Sequence, residues 1–298
     1  MTALRCLAGL VAAAAACAQA PLDGVIDFHV HADPDSLPRS IDAIDLARLA
    51  KQRGMRGLVL KNHYESTASL AYVVRKEVPG IEVFGGIDLN RTVGGINPAA
   101  VERMTMVKGG WGRVVWLPTF DAENQVRYSG EARPFVSVSR GWQLLPEVRE
   151  VIALAAKHGL TLETGHSSAE ECLLIVKEAR RQGVAHVVVT HAMLPPVKMT
   201  VAQMRAAAAE GAFLEFVYNG LIGPNRSGSM RDYAEAIRQV GPRFCVLASD
   251  LGQPGNPLHP DGLAAFFAGL MGEGISAADI AVMSKTNPAL ALGLDSSH

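Results

Sequence analysis

Two histidines, His29 and His31, stand one residue apart in the stretch DFHVHADPD, directly after a short apolar run. Side chains in a β-strand alternate between its two faces, so these two imidazoles would project from the same face. Imidazole is the commonest protein ligand for metal ions, and two imidazoles on one face can bind a single ion. A polar entrance to a loop would also explain the pair. The pair therefore indicates a metal site only if partners for it occur elsewhere in the chain.

Further polar residues of the same kind stand where other apolar runs end. Lys61 and His63 are likewise separated by one residue, and His166, His191 and Asp250 each follow a later run. Imidazoles with a carboxylate and no cysteine are typical of a catalytic zinc site that keeps one position open, and iron, manganese, cobalt or nickel accept the same ligands. We therefore predict a divalent metal centre, most simply zinc, with one or two ions that activate water.

The elements that must position these residues alternate between short strands and longer helices. The predicted strands are GVIDFH (24–29), RGLVLK (56–61), IEVFGGID (81–88), RVVWLP (113–118), LTLETG (160–165), AHVVVT (185–190), AFLEFV (212–217) and FCVLAS (244–249). The helical patterns between them, such as EVREVIALAAKHG, end on glycine, as helices often do. Strands that alternate with helices favour a parallel sheet.

Eight such strands are the number that closes a barrel. An open doubly wound sheet would be expected to carry a glycine-rich phosphate loop after its first strand, and that place holds HVHADPD instead. We predict an α/β fold of the (β/α)8 TIM barrel class, with a long loop at residues 119–141 after strand 4. The carboxyl ends of the strands, where the polar residues stand, would then meet at one mouth.

The amino-terminal residues have a different composition. Residues 1–20 contain one early cation, Arg5, and an apolar run that ends in small residues, which predicts a signal peptide and export to the periplasm. The run is too short to span a membrane. Lipid anchoring through Cys17 is disfavoured because Ala14 stands where a leucine is usual. Residues 21–298 are predicted to form a single barrel domain.

The overall composition limits the partners. The 298 residues are 49% hydrophobic and 19% charged, with a net charge of -1. This balance gives no reason to expect nucleic acid or an anionic membrane surface as a partner, and no stable membrane span is predicted. A small-molecule substrate is the expected partner, and a homo-oligomer is compatible with the sequence.

The ordered set of motifs resembles the amidohydrolase superfamily of metal-dependent hydrolases. It consists of DFHVH, TGH, VTHA, ASD and the closing TNPALALGL, and it extends over residues 23–295. The resemblance implies that His29, His31 and Asp250 are metal ligands on strands 1 and 8, and that His166 and His191 add ligands from strands 5 and 6. It also implies catalytic roles for Asp250, as the proton shuttle, and for His191.

The activity that the resemblance implies is hydrolysis of a small molecule. Metal-bound hydroxide would attack a carbonyl-type bond of an amide, lactone or ester, with Asp250 passing the proton to the leaving group. A metal-dependent decarboxylase of a small carboxylic acid is the alternative within the same superfamily. A metal-dependent phosphoesterase is a further alternative, although Asp250-Leu251-Gly252 lacks the Asp-x-His with which one such family ends.

The sequence departs from two-metal relatives at strand 4. RVVWLPTF contains neither the lysine nor the glutamate that bridges two ions there. Lys61 is the alternative bridge, if it is carbamylated, or else it is a cation that binds a substrate carboxylate. Glu163 stands three residues before His166 and is predicted to face away from the metal, toward a helix or behind the ligands.

Residues with a predicted role in substrate binding come from the loops at the mouth. His63 follows strand 2, Arg91 follows strand 3, and Asn219 and Arg226 lie in YNGLIGPNRSG after strand 7. Arginine and amide side chains suit a carboxylate or a polarised carbonyl.

Overall fold

The computed structural model describes residues 22–295, and the predicted signal peptide at residues 1–20 lies outside them. Its main sheet has eight parallel strands in the order β1-β2-β3-β4-β7-β8-β9-β10, and β5 and β6 form a separate antiparallel hairpin. The strands are β1 (Ile26–Val30), β2 (Gly57–Leu60), β3 (Glu82–Asp88), β4 (Gly112–Trp116), β5 (Ser139–Arg140), β6 (Gln143–Leu144), β7 (Thr161–Glu163), β8 (His186–Val189), β9 (Phe213–Val217) and β10 (Cys245–Ala248).

The sheet closes on itself between its first and last strands. Val30 pairs with Leu251 in a parallel bridge, and the His31 amide donates to the Leu251 carbonyl at 3.0 Å. The Asp250 amide donates to the His29 carbonyl at 2.9 Å. The predicted (β/α)8 barrel is therefore confirmed, and its closure places the residues after β1 and β10 side by side.

Helices connect the strands and cover the outside of the barrel. They are α1 (Ala43–Gln52), α2 (Ala68–Glu77), α3 (Pro98–Thr105), α4 (Glu123–Ser129), α5 (Pro146–His158), α6 (Ala169–Arg181), α7 (Val201–Ala209), α8 (Met230–Val240), α9 (His259–Gly272), α10 (Ala277–Ala281) and α11 (Asn287–Ala291). A π-helical segment, Val282–Thr286, joins the last two. In the described residues, no helix is long and apolar enough to cross a membrane.

The segment after β4 is more ordered than the predicted long loop at residues 119–141. It contains α4 and the first strand of the β5–β6 hairpin. The long connection predicted after strand 4 is present, but its helix was not predicted because α4 is only seven residues long and carries one buried apolar residue, Val126, too few for a periodic pattern.

Several charged side chains lie inside the barrel. Asp27, Asp88, Glu163 and Glu215 are fully buried, or nearly so, on the strands of the sheet. The Glu215 carboxylate on β9 contacts the His29 ring on β1, although β10 lies between these strands. A contact between strands that are not neighbours must cross the interior, so the barrel holds a polar interior behind its mouth.

Candidate metal centre

His29, His31 and Asp250 converge at the carboxyl ends of β1 and β10. The Nε2 atoms of both histidines lie 3.2 Å from the same carboxylate oxygen, Asp250 Oδ1. All three side chains are buried, and their ligand atoms lie within 4.8 Å of one another. The two strands that close the barrel thus supply the whole cluster.

The hydrogen bonds on the far side of each ring fix its tautomer. His31 Nδ1 lies 3.1 Å from the Lys61 carbonyl, which can only accept, so this nitrogen carries the proton. His29 Nδ1 lies 3.2 Å from the Glu215 carboxylate and is a donor for the same reason. The Nε2 atom of each ring therefore faces Asp250, and an unprotonated Nε2 there offers a lone pair.

The ionisation states of His31 and Asp250 favour a cation in this cluster. Burial lowers the pKa of His31 to about 3, so its ring is neutral at neutral pH. Burial alone would raise the pKa of Asp250, but the neighbouring His29 and His31 hold it well below its usual range. The Nε2 atoms of two imidazoles and a carboxylate thus meet at one point in a buried site, and a metal ion there would bind all three.

The spacing of these atoms fits a metal ion. Tetrahedral zinc with bonds of roughly 2.0–2.1 Å places its ligand atoms about 3.3 Å apart, close to the 3.2 Å separations between the two histidines and Asp250. His29 Nε2 is also buried without a hydrogen-bond partner among the described residues. The residues present therefore fit a divalent metal with nitrogen and oxygen ligands.

A second histidine pair lies beside this cluster. His166 Nε2 and His191 Nε2 are 3.1 Å apart, and His166 Nδ1 lies 2.8 Å from the Gln125 side-chain oxygen on α4. Burial, followed by the neighbouring His191, lowers the pKa of His166 well below its usual value. Burial lowers the pKa of His191 to about 4. This pair offers two nitrogen ligands, but no carboxylate lies between them.

Backbone strain marks two of the proposed ligands. His191 has a φ of 24° and Asp250 a φ of 51°, in the left-handed region that residues other than glycine rarely adopt. Gly165, directly before His166, has a φ of 62°, and a Cβ atom there would lie 2.1 Å from the Leu117 carbonyl. Strained residues of this kind are concentrated at functional sites, where the surrounding structure holds them.

Glu215 is a residue of the site that sequence reasoning missed. Its carboxylate accepts from the His29 ring and from the His191 amide, the latter at 2.9 Å. Burial opposes its ionisation, but its electrostatic interaction with His29 and these hydrogen bonds lower the pKa of Glu215. The available signal was a lone carboxylate in the apolar strand AFLEFV, because a buried charge needs a partner.

The structure decides between the two positions predicted for Glu163. Its side chain is fully buried and accepts a hydrogen bond from the Thr190 hydroxyl at 2.8 Å, next to His191, so it lies behind the ligands rather than facing a helix. The prediction assumed a regular strand up to His166, but β7 ends at Glu163 and Gly165 turns the chain. Burial, and then repulsion from Glu215, raises the pKa of Glu163 well above its usual value.

Lys61 and His63 lie together at the end of β2. The Lys61 ammonium is buried, 3.8 Å from Asp88 Oδ2 and 5.3 Å from the centre of the Trp116 ring, with no hydrogen-bond partner in the described part of the chain. His63 Nδ1 lies 3.3 Å from the same oxygen, and its ring stacks on Phe120 at 3.9 Å. Burial raises the pKa of Asp88 to about 6.

The metal cluster opens into a cavity of about 470 Å³ at the mouth of the barrel, a size suited to a small molecule. His63, Asn219 and Arg226 line it, as predicted for substrate contacts. The Asn219 amide also donates to Asp250 Oδ2 at 3.3 Å. Arg39, which the sequence interpretation did not select, lines the cavity as well.

Arg91 is placed elsewhere, so its predicted role in substrate binding is wrong. It lines a separate surface depression with Gly94 and Phe135. Its backbone amide donates to the Asp121 carboxylate at 2.9 Å, and Arg91 begins a 3₁₀ turn after β3.

Together the fold and this site define a class: a (β/α)8 barrel with a histidine and carboxylate centre at the carboxyl ends of its strands. Residues 24–215 match the model of a family of unknown function, DUF6282, and the chain belongs to that family. Comparison with curated protein sequences gives no match.

Solved structures of similar fold include several hydrolases. An organophosphorus hydrolase from Deinococcus radiodurans has a TM-score of 0.62 and 15% identity, over 92% of this chain and 93% of that one. A second structure comes from work on organophosphate hydrolysis that was engineered from a weak, promiscuous lactonase template. It has a TM-score of 0.62 and 16% identity, over 92% of this chain and 97% of that one. An amidohydrolase from Pseudomonas aeruginosa has a TM-score of 0.61 and 13% identity, over 91% and 95%. These similarities establish a shared barrel fold and agree with the resemblance of the motifs to the amidohydrolase superfamily.

Proposed function

We propose that this protein is a metal-dependent hydrolase of a small molecule with a carbonyl-type bond, such as an amide, a lactone or an ester. The observation that carries the proposal is the convergence of His29 Nε2, His31 Nε2 and Asp250 Oδ1 at 3.2 Å in a buried cluster. The cluster opens into a cavity of suitable size. Neighbours of similar fold that are named as hydrolases support the same class of reaction.

His29, His31 and Asp250 would hold the first metal ion, and His166 with His191 would complete its shell or hold a second ion. A bound divalent metal supplies Lewis acidity, which activates water as a nucleophile near neutral pH and polarises a carbonyl oxygen. Zinc suits imidazole and carboxylate ligands with one position open, so we propose zinc as the resident ion.

Asp250 is the residue we propose for proton transfer. Its Oδ1 atom faces the two histidines, and its Oδ2 atom is held by the Asn219 amide at 3.3 Å. Its ionised state, maintained by the adjacent imidazoles, leaves it able to accept a proton from the attacking water and return it to the leaving group. His191, 3.1 Å from His166 across the cluster, is placed to orient the reacting carbonyl.

The cavity wall supplies the contacts that would orient the substrate. We assign His63 and Asn219 to its inner part and Arg226 to its rim, since all three line the cavity. The stacking of His63 on Phe120 and its contact with Thr119 at 2.9 Å fix the ring direction. A fixed donor near the metal costs less reorganisation during the reaction than a mobile one.

Metal analysis of the full-length protein is the first test. Zinc per chain would be measured by mass spectrometry on protein purified without chelators, for wild type and for Lys61→Ala. A fall from two ions to one would assign Lys61 as a carbamylated bridge. One ion in both proteins would assign it as a cation for substrate. No metal in either protein, even after reconstitution with zinc, would overturn the proposed function.

Hydrolysis is the second test, on the zinc-loaded protein with 4-nitrophenyl acetate, dihydrocoumarin, an N-acetylated amino acid and diethyl 4-nitrophenyl phosphate. We expect turnover of at least one carbonyl substrate, loss of it after chelation, and its return with zinc. Turnover of the phosphate ester alone would favour the phosphoesterase alternative. Release of carbon dioxide from 2-hydroxybenzoate without any hydrolysis would favour the decarboxylase.

We propose that the mature protein acts in the periplasm, on the basis of the signal peptide predicted at residues 1–20. Fractionation of cells, with the amino terminus of the periplasmic protein determined by mass spectrometry, tests this. An intact amino terminus in the cytoplasmic fraction would contradict export.

A further inference from the structure

The wall of the cavity has two chemically different sides. The ring order of the strands places the loops after β9, β10 and β1 next to one another. Outside the cluster of His29, His31 and Asp250, these loops contribute the polar residues Arg39, Asn219, Asn225, Arg226, Ser227 and Gln253. The loops after β4 and β8 contribute Phe120, Tyr128, Leu194 and Pro195, together with Gln125 and His191. A molecule that fills the cavity therefore meets mostly polar groups on one side and more apolar groups on the other.

Arg39 is the buried cation among these polar residues. Its side chain is only 4% exposed, and its Nε atom donates to Asp35 Oδ2 at 2.7 Å. The other oxygen of Asp35 accepts from the Leu37 amide at 3.1 Å, so the carboxylate is itself fixed by the loop. A guanidinium has five N–H donors. Asp35 Oδ2 also lies 2.6 Å from Nη2, so this carboxylate engages one edge of the guanidinium, and Nη1 makes no hydrogen bond within the described residues.

Cations outnumber carboxylates in the lining of the cavity, although Arg39 is paired with Asp35 and Lys61 lies 3.8 Å from Asp88. Apart from histidines, the charged residues of the described lining are Arg39, Lys61, Arg226 and Asp250. Asp250, the one carboxylate among them, is engaged by the imidazoles of the metal cluster. Arg226 is exposed at the rim and forms no ion pair with a described residue.

We propose that Arg39 binds a carboxylate of the substrate, which makes the substrate a small carboxylic acid with the hydrolysable bond elsewhere in the molecule. This inference rests on the proposed hydrolase function and specifies its substrate class. The planar guanidinium matches a carboxylate and gains strength from its burial. Arg226 adds a second, weaker contact at the rim, and the apolar part of the substrate lies against Phe120 and Tyr128.

A matched pair of ligands tests the charge requirement. 3-Phenylpropionate and 3-phenylpropionamide have the same shape and differ in charge, and their binding to the full chain would be measured by calorimetry. We expect the acid to bind roughly 10- to 100-fold more tightly than the amide, as is typical of hydrogen bonds to a charged group. The comparison is made on zinc-loaded protein and again after chelation, because a carboxylate could also bind the metal.

Variants identify the residue responsible. Arg39→Gln should reduce the preference for the acid to less than about threefold, and Arg226→Gln should reduce it by a smaller factor. Arg205→Gln, on an exposed position of α7, is the control and should leave the preference unchanged. If Arg39→Gln fails to fold, Arg39→Lys is the second variant. It keeps the charge but loses the paired N–H donors of the guanidinium, so an intermediate preference for the acid is expected.

The outcomes separate this inference from the hydrolase proposal. Equal affinity of the wild type for acid and amide, or an unchanged preference in Arg39→Gln, would overturn the inference even if zinc binding and hydrolysis are found. A preference for the acid that depends on Arg39 in both preparations supports the anion site. If zinc binding fails while this preference remains, the hydrolase proposal fails and Arg39 still defines a carboxylate-binding site.

Discussion

The two histidine pairs at the mouth of the barrel are built differently. His29 and His31 come from one strand and meet a carboxylate, Asp250, at 3.2 Å. His166 and His191 come from the loops after β7 and β8, and their Nε2 atoms face each other at 3.1 Å with no carboxylate between them. The first pair, together with Asp250, therefore supplies three ligands. The second pair supplies two nitrogens and needs an anion from elsewhere.

The supports behind the rings differ in the same sense. The first pair is held by a carboxylate, Glu215, and by a backbone carbonyl. In the second pair, His166 is held by the Gln125 amide, and His191 Nδ1 has no partner within the described range. Because partners behind a ligand raise its basicity and fix its direction, the first pair should bind an ion tightly, and the second should contribute less.

Replacement of Asp250 should have the largest effect, because the first pair alone has a carboxylate. Asp250→Asn keeps the shape but loses the charge and the proton acceptor, so kcat should fall by roughly 10²- to 10⁴-fold. Steady-state hydrolysis of the best substrate, with zinc content measured in parallel, checks this. Activity within threefold of wild type would remove Asp250 from proton transfer, and Arg205→Gln is the control for handling.

Removal of one histidine from each pair tests the difference between them directly. We expect His29→Ala to lose nearly all bound zinc, because two of the three convergent ligand atoms cannot hold an ion tightly. His166→Ala should retain about one zinc per chain. Metal content after dialysis against zinc-free buffer measures this. Equal retention by the two variants would show that both pairs share one ion equally.

Glu215 links the two pairs, since it accepts from the His29 ring and the His191 amide. Glu215→Gln should weaken zinc binding by roughly 10- to 100-fold, as loss of a partner behind a ligand typically does. Competition with a chromophoric chelator measures the affinity. Glu163→Gln is a matched control, because Glu163 is equally buried but bonds to Thr190 instead of a histidine. Equal losses in both variants would reduce Glu215 to a general structural role.

His259 contacts the backbone next to the first pair, and its replacement should have the smallest effect, on stability. Its Nε2 atom donates to the Leu251 and His31 carbonyls, and burial lowers its pKa to about 4. Between pH 6.5 and 4 the unfolded chain therefore binds a proton that the folded protein does not, so stability falls as the pH falls. In His259→Gln the free energy of unfolding of the metal-free protein should depend less steeply on pH, by up to about 1.4 kcal/mol per pH unit. Identical slopes would contradict this.

The sequence predicted the fold and most of the mouth for one physical reason. In a barrel of parallel strands, all carboxyl ends meet, so residues far apart in the chain can be grouped without knowledge of the packing. His29, His31, His166, His191 and Asp250 were grouped correctly on that basis. Lys61 and His63 also reach the same cavity.

The failures came where the position depends on local geometry. Two positions stayed open for Glu163 because a short strand and the left-handed Gly165 break the alternation of faces. Arg91 was misplaced because a 3₁₀ turn begins at this residue. Arg39 was missed because its loop folds back over the mouth through the Asp35 ion pair. None of these features has a periodic pattern that a sequence could reveal.

The seam where the barrel closes has a consequence for folding. Within the described residues, β1 and β10 are joined by one parallel bridge and a few backbone hydrogen bonds, and the three convergent ligands all stand at this seam. A bound ion would therefore cross-link the first and last strands of the ring, and at a thousand times its dissociation constant it would add about 4 kcal/mol to the folded state. Metal supply would then set how firmly the ring stays closed between its first and last strands.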